Sequence, residues 1–261
     1  MKLSAKYGNI HPPLVERIFS EEKAAKDPVK AVKTRLHQLY GAYVQANAHK
    51  KTELLLDLAE EQLGKNPPMD ELKAVSSDIL KLHASTKERH AFYEKFYAFI
   101  ANNVGAVETI MDLGCGFNPF SLPIMPEGLT KNLQAYCAYD IDTRVMAIIN
   151  RFFLLLGLPQ NAFCVDLAAK TPALSVDITF MFKLLPVLES QMTGRGFGLV
   201  SEIKSRYFVV TYPLKSLGGR EKGMGQNYSV AFGAWLREIV NIKLIASERI
   251  GNELIYILEG G

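Results

Sequence analysis

Two glycines behind one short apolar run, and an acid at the end of the next, are the residues in this chain whose spacing most clearly implies chemistry. The run is Glu108-Thr109-Ile110-Met111-Asp112-Leu113-Gly114-Cys115-Gly116, and Asp140 follows 24 residues past Gly116 in Ala138-Tyr139-Asp140-Ile141. Ile110 to Leu113 reads as a buried strand. Gly114 and Gly116 let the backbone turn sharply and approach a ligand that a Cβ would push away. An acid at the end of the following strand can accept hydrogen bonds from a ribose diol. A nicotinamide site needs a third glycine opening a helix toward a pyrophosphate, and here Phe117-Asn118-Pro119-Phe120 follows instead. The pattern therefore favours a ribose-bearing ligand without a pyrophosphate, and S-adenosylmethionine has that chemistry.

Other positions fit the same pocket. Asp166, in Phe163-Cys164-Val165-Asp166-Leu167, closes the next apolar run. There it either accepts from an adenine amine or caps a turn. After the run Asp177 to Phe182 comes Lys183-Leu184-Leu185-Pro186. Methyltransferases acting on exocyclic amines often carry Asn/Asp-Pro-Pro-aromatic at this place, to grip the amine and help it lose a proton. A ring nitrogen with a free lone pair needs no such help, so catalysis would rest on alignment and electrostatics. Lys183 is a candidate for positioning the target, or a salt-bridged lysine at the rim of the sheet. Upstream, Ser85 and Glu88 are three apart and read as a capping box at a helix start, with Lys87 and Arg89 beside an N-terminus that could hold a carboxylate. The basic, glycine-rich stretch Ser216 to Tyr228 reads as a loop on the same edge, either a surface loop or one that grips substrate.

These residues need a scaffold, and the chain divides near residue 105. Upstream, helical patterns alternate with breakers such as Gly64-Lys65-Asn66-Pro67-Pro68. Downstream, strands are expected near 108–113, 134–139, 161–165, 177–182, 206–211, 242–248 and 253–258, with helices between most of them. That rhythm predicts a doubly wound α/β sheet with its ligand at the carboxyl ends of the first strands. The chain has 261 residues, 48% of them hydrophobic, enough for one large core with a smaller attached domain. Its longest apolar stretch, Phe152 to Leu158, is too short to span a bilayer, and Met1-Lys2-Leu3-Ser4 does not open a secretory segment, so a cytoplasmic protein without a membrane partner is expected. Cys115, Cys137 and Cys164 stand apart, with no paired spacing and no histidine cluster, so neither a metal nor a disulfide framework is expected. Cys115 reads as a small residue packed in the glycine turn rather than as a nucleophile.

The net charge of +3 is unevenly placed: residues 1–51 carry 10 basic and 4 acidic side chains. Between Asp27 and Tyr43, Val29, Val32, Leu36, Leu39 and Tyr40 recur at helical spacing and leave Lys26, Lys30, Lys33 and Arg35 largely on other faces. Such a face is either simply solvated or contacts phosphates.

Taken together, Thr34-Arg35-Leu36-His37 with Gly41-Ala42-Tyr43, His83 to Arg89, Asp112 to Pro119, Phe182 to Pro186, Ser216 to Met224 and Gly251 to Tyr256 resemble the aminoglycoside-resistance 16S ribosomal RNA methyltransferases of the Arm/Rmt type. The blocks run in family order over nearly the whole chain. The resemblance implies methyl transfer from S-adenosylmethionine to N7 of guanine 1405 in the assembled 30S subunit, leaving S-adenosylhomocysteine and conferring drug resistance. It implies a class I, Rossmann-like methyltransferase domain at 106–261 behind a helical RNA-binding domain at 1–105, acting as a monomer. Carried over by motif, cofactor contacts fall on Val44, His83, Ala84, Ser85, Arg89, Gly114, Asp140, Asp166, Leu167, Phe182 and Gln191, and RNA contacts on Lys30, Lys33, Arg35, Lys215, Arg220, Lys222 and Met224. Gly114 stands where many members have alanine, and Tyr139-Asp140-Ile141-Asp142 where others have Cys-Asp-Ile-His. Two other readings stay open: methylation of a neighbouring base such as N1 of an adenine, and a non-catalytic RNA-binding protein that keeps the fold.

Overall fold

The computed structural model describes residues 7–45, 47–64, 67–214 and 224–261, apart from the side chains of 224–229. All seven expected strands form: β1 (Thr109–Leu113), β2 (Ala135–Asp140), β3 (Ala162–Cys164), β4 (Ser175–Phe182), β5 (Lys204–Pro213), β6 (Ile242–Ile250) and β7 (Glu253–Gly260). They make one sheet in the order β3-β2-β1-β4-β5-β7-β6. Pairing is parallel from β3 to β5, and β7 runs antiparallel between β5 and β6. The inner strands are mostly apolar on both faces because helices cover both sides of the sheet. The direction of winding reverses between β1 and β4, which opens a crevice at their carboxyl ends.

The preceding helices are α1 (Pro12–Glu22), α2 (Pro28–Leu36), α3 (Ala48–Leu63), α4 (Met69–Leu80), α5 (Ala84–Arg89) and α6 (Tyr93–Val104). Asp27 caps α2 by accepting from the Lys30 N–H at 3.0 Å, with Pro28 in the first turn, where its missing N–H costs nothing. After Leu36 the helix widens over His37–Gly41 into a π turn, where the Ala42 N–H reaches the His37 carbonyl at 3.0 Å. The remaining helices are α7 (Glu127–Thr130), α8 (Thr143–Leu155), α9 (Leu184–Gln191), α10 (Arg195–Glu202) and α11 (Met224–Glu238).

Alternate residues of β1 enter different cores. Ile110 joins Tyr136, Ile178, Phe180 and Ile257 beneath α3, α4, α6 and α8, whereas Met111 and Leu113 join Met181, Phe208 and Val210 beneath α9, α10 and Phe232. The change from helices to strands falls at Gly105, but side-chain packing runs across it, because Leu56, Leu72, Ile79, Phe96 and Ile100 belong to the core under the sheet. A separate small cluster holds Ile10 just before α1 with Leu14, Ile18, Val32, Leu36 and Tyr40 from α1, α2 and the widened turn. Val29, expected on that apolar face, is exposed instead, since the contacts of α2 with α1 are filled by Val32 and Leu36.

Backbone bonds and the Asp142 carboxylate join this cluster to the end of β2. The His11 N–H reaches the Ile141 carbonyl and the Thr143 N–H the Asn9 carbonyl, each at 2.8 Å. Asp142 caps α8 with Oδ1, accepting from the Arg144 and Val145 N–H groups at 2.9 and 3.0 Å. Its Oδ2 accepts the Tyr40 hydroxyl at 2.6 Å and lies 2.7 Å from His49 Nε2. No described helix is long and apolar enough to cross a membrane, and among the described residues no group of His, Cys, Asp or Glu is arranged to hold a metal ion.

Leu36 is fully buried in the small cluster. Leu36→Ala should remove about 2–5 kcal/mol of packing there. Hydrogen exchange should accelerate across residues 12–41 while the amides of β1 and β4 keep their protection. Equal acceleration in both regions would show that the small cluster has no stability of its own.

Candidate active site and cofactor pocket

A cavity of about 1040 Å³, counted to its open mouth, occupies the crevice at the ends of β1, β2 and β4. Ten of the residues expected to hold a cofactor border it: Val44, His83, Ser85, Arg89, Gly114, Asp140, Asp166, Leu167, Phe182 and Gln191. Ala84 does not; its N–H donates to the Tyr43 carbonyl at 2.9 Å and so docks α5 against the turn that carries Val44. Lys183 also borders the cavity.

The floor is the glycine turn. Gly114 and Gly116 have φ of +62° and +50°. A Cβ at Gly114 would stand 2.7 Å from a Leu184 methyl, and one at Gly116 3.0 Å from the His83 ring. The Gly116 N–H donates to Asp140 Oδ2 at 2.8 Å, and the other oxygen accepts from the Ile141 and Asp142 N–H groups at 2.7 and 3.3 Å. Asp140 thus braces the turn beside which it opens into the cavity. Its burial raises the carboxyl pKa against those three bonds. The Cys115 thiol is buried in the same turn and pushed well above its usual range, which removes it as a nucleophile at neutral pH.

His83 lies between two rings, stacked on Phe117 with centroids 5.2 Å apart and facing Tyr43 at 6.1 Å. Burial, with Lys183 and Arg89 nearby, pushes its imidazole down to about 4, so the ring is neutral at physiological pH. Its Nδ1 is buried and has no hydrogen-bond partner among the described residues. Beneath the turn, Asp112 Oδ2 accepts the Tyr136 hydroxyl at 2.6 Å and the Asn118 amide at 2.9 Å, while Oδ1 has no partner. Burial pushes this carboxyl up to about 7.

Arg89 is committed to structure as well as to the cavity. Its Nε and NH2 donate to the two oxygens of Glu253 at 3.1 and 3.0 Å, and its guanidinium carbon sits 4.8 and 4.7 Å from the ring centres of Phe96 and Phe182. Burial alone would raise the Glu253 carboxyl, but Arg89 and Lys183 hold it below the usual carboxylate range. Lys183 has a left-handed backbone, φ +58°, just before α9, and its Nζ meets Glu88 at 2.7 Å and Glu253 at 3.3 Å. Glu88 therefore serves Lys183 and does not close a capping box. Ser85 lies inside α5, whose first turn is held by the Tyr43 carbonyl and carries no side-chain cap.

Two residues of the site escaped the sequence reading. Arg17 on α1 donates to both oxygens of Asp166 and to Gln191, and Tyr40 reaches Asp142 beside Asp140. Nothing local marks either, because their partners lie 149 and 102 residues away. Of the expected RNA contacts, Lys30 and Lys33 are exposed on α2, whereas Arg35 is half-buried and paired with Glu21 and Glu22. Lys215, Arg220 and Lys222 lie outside the described residues. Met224 opens α11, so the expected loop ends there and not at Tyr228.

Strand order, glycine turn and strand-end acids define a Rossmann-like methyltransferase fold with a nucleoside-sized pocket. The cavity fits S-adenosylmethionine: its floor is crowded against any added Cβ, and Asp140 and Asp166 supply acceptors at the ends of successive strands. The chain belongs to the family described as "Ribosomal RNA methyltransferase (FmrO)", matching it over residues 3–257. It is 36% identical to the 16S rRNA (guanine(1405)-N(7))-methyltransferase of Frankia casuarinae over 98% of this chain and 89% of that one. The protein of the same name from Proteus mirabilis is 30% identical, with 98% and 93% covered. The crystal structure of the 16S rRNA methyltransferase RmtF in complex with S-adenosyl-L-homocysteine superposes with a TM-score of 0.84 and 30% identity, covering 99% of this chain and 95% of that one.

Gly116→Ala should cost about 1–2 kcal/mol in the left-handed turn and displace the His83 ring. Calorimetry with S-adenosylhomocysteine should show affinity about tenfold lower; unchanged affinity would mean that the turn does not shape the binding floor. A second expectation concerns pH. The folded state raises Asp112 from 3.8 to about 7, so the stability gained from holding its proton is complete below pH 4 and disappears as pH rises through 7. Urea titrations of wild type and Asp112→Asn should show the variant gaining on wild type between those limits and then levelling. A pH-independent difference would mean that Asp112 is ionised throughout.

Proposed function

We propose that this protein transfers the methyl group of S-adenosylmethionine to N7 of guanine 1405 of 16S ribosomal RNA, within the assembled small subunit, and thereby confers aminoglycoside resistance. The observation that carries the reading is a nucleoside-sized cavity whose target side offers Lys183-Leu184-Leu185-Pro186 in place of an amine-gripping motif, in a chain akin over almost its whole length to enzymes named for that nucleotide. When bound, the cofactor supplies an electrophilic methyl on a sulfonium. Guanine N7 brings its own lone pair, so no residue has to remove a proton before attack.

The protein's part is then binding and alignment. Asp140 offers an acceptor for the ribose and Asp166 one for adenine. Neutral His83, stacked between Tyr43 and Phe117, walls the pocket without adding positive charge to a site that would hold a cationic cofactor. Arg89, Lys183, Glu88 and Glu253 form a mixed cluster beside Phe182, and the role of Lys183 in this reading is to orient the target. Residues 1–105 supply the docking surface for RNA, with Lys30 and Lys33 on the exposed face of α2, and residues 106–261 supply the chemistry. Lys215, Arg220, Lys222 and Met224 complete the contacts near the target. The enzyme acts as a monomer in the cytoplasm on a preformed RNA surface.

Purified 30S subunits and naked 16S RNA, incubated with enzyme and cofactor, should separate the readings. Methylation is expected at N7 of guanine 1405 on subunits and poorly on naked RNA. Modification of a neighbouring adenine would reassign the target, and cofactor binding without turnover would make this a binding protein. Asp140→Ala should weaken cofactor binding by about one to two orders of magnitude. Replacing Lys30 and Lys33 together should leave it unchanged, yet flatten the salt dependence of subunit binding by up to about one unit of slope per lost phosphate contact.

A further inference from the structure

One polar chain leads from the cavity to the surface of α2. Arg17 Nε donates to Asp166 Oδ2 at 2.7 Å, and NH2 donates to Asp166 Oδ1 at 3.2 Å and to Gln191 Oε1 at 2.8 Å. The remaining nitrogen, NH1, donates to Glu21 Oε1 at 2.9 Å. The other oxygen of Glu21 accepts from Arg35 NH1 at 2.5 Å, and that same nitrogen reaches Glu22 at 3.1 Å. Asp166 is buried and Arg17 has 18% of its side chain exposed, whereas Glu21 has 39%. The chain thus begins at a buried carboxylate and ends at the solvent.

A guanidinium only donates, so its contacts fix the polarity of what it touches. Gln191 has to turn its carbonyl oxygen to Arg17, which leaves its amide NH₂ as the group it can offer elsewhere. Asp166, already engaged on both oxygens and by the Ala168 N–H at 3.1 Å, can only accept. Arg17 therefore sets an acceptor and a donor side by side at one end of the cavity. A 6-aminopurine matches that pair, because its amine donates and its N1 accepts. A 6-oxopurine reverses both groups. Buried polar sites reject a ligand of the wrong polarity far more strongly than apolar sites reject a wrong shape.

We propose that Arg17 is a positioning residue that sets the 6-aminopurine selectivity of this cavity, and that its ion pairs through Glu21 to Arg35 couple cofactor affinity to RNA docking. The second half rests on the function proposed above; the first requires only that the cavity takes a nucleoside. When a phosphate draws Arg35 away, Glu21 keeps Arg17 as its partner and pulls it from Asp166 and Gln191. Docking then loosens the adenine end, and by linkage the loaded enzyme docks more weakly by the same factor.

Calorimetry with S-adenosylhomocysteine and S-inosylhomocysteine, which differ in that polarity alone, tests the first half. Wild type should prefer the adenosyl compound strongly, Arg17→Met should narrow the ratio about tenfold or more, and Arg17→Lys should fall between them. If both compounds weaken by one common factor, Arg17 is a structural residue and the proposal fails. Arg17→Lys keeps the test open should Arg17→Met not fold. For the second half, S-adenosylhomocysteine affinity is compared between free and 30S-bound enzyme. Wild type should bind it two- to fivefold more weakly when docked, and Glu21→Gln should abolish the difference while keeping the adenosyl preference. A difference that is absent in wild type, or that survives in Glu21→Gln, overturns the relay. Failure to dock on subunits at all would instead refute the proposed function and leave the selectivity result standing.

Discussion

Arg89 and Glu253 form an ion pair with 1% and 0% of their side chains exposed, and the geometry of the pocket depends on it. One partner comes from the short helix before the sheet and the other from the first residue of the last strand. Charges so deeply buried are tolerated only when each finds its partner with good geometry, and removing one of them typically costs about 3–5 kcal/mol. The pair is bidentate, faces Phe96 and Phe182, and leaves Lys183 in reach of the same carboxylate. It therefore fixes α5, the end of β4 and the start of β7 relative to one another, and the first two of these border the cavity.

Above that anchor, the floor is built from mutual exclusions. The turn after β1 takes up left-handed backbone at two glycines, and the space a Cβ would need at Gly116 is filled by the His83 ring. His83 is held by its stack on Phe117 and is kept neutral by burial and by the two cations below it. A neutral aromatic wall suits a cationic sulfonium, since an imidazolium there would repel it. Asp140 serves both sides of this arrangement, because the N–H of Gly116 uses one of its oxygens while the carboxylate still borders the cavity.

Asp142, two residues further on, carries the connection outward. Its carboxylate caps α8 and receives Tyr40 from the widened turn, with His49 of α3 at 2.7 Å. Burial alone would raise this carboxyl, but those bonds hold it below the usual range, so it stays ionised and keeps its partners. The small α1–α2 cluster is thus attached to the pocket at Asp142 and at Asp166, the ends of two neighbouring parallel strands. The exposed face of α2 is therefore fastened to residues that border the cavity, which suits a reaction whose rate depends on alignment.

The sequence alone determined the strand-rich half of the fold and the core of the site. Apolar runs of strand length, spaced for crossover helices, are a local signal, and so are glycines where a turn must be left-handed and acids at strand ends; Gly114, Gly116, Asp140 and Asp166 could be found from neighbouring residues only. Tertiary structure decided the rest. The capping box at Ser85 and Glu88 gave way because α5 begins at Ala84, one residue before Ser85, with the Ala84 N–H on the Tyr43 carbonyl, and because Lys183, distant in sequence, binds Glu88 instead. Arg35 looked like a free cation until Glu21 and Glu22 on the facing helix were in place. Arg17 could not be seen at all, since a guanidinium's role is set by the carboxylate it meets, and Asp166 reaches it only once the chain has folded across the intervening 149 residues. Periodicity and backbone conformation are properties of short segments, whereas the partner of a charge is a property of the whole packed chain.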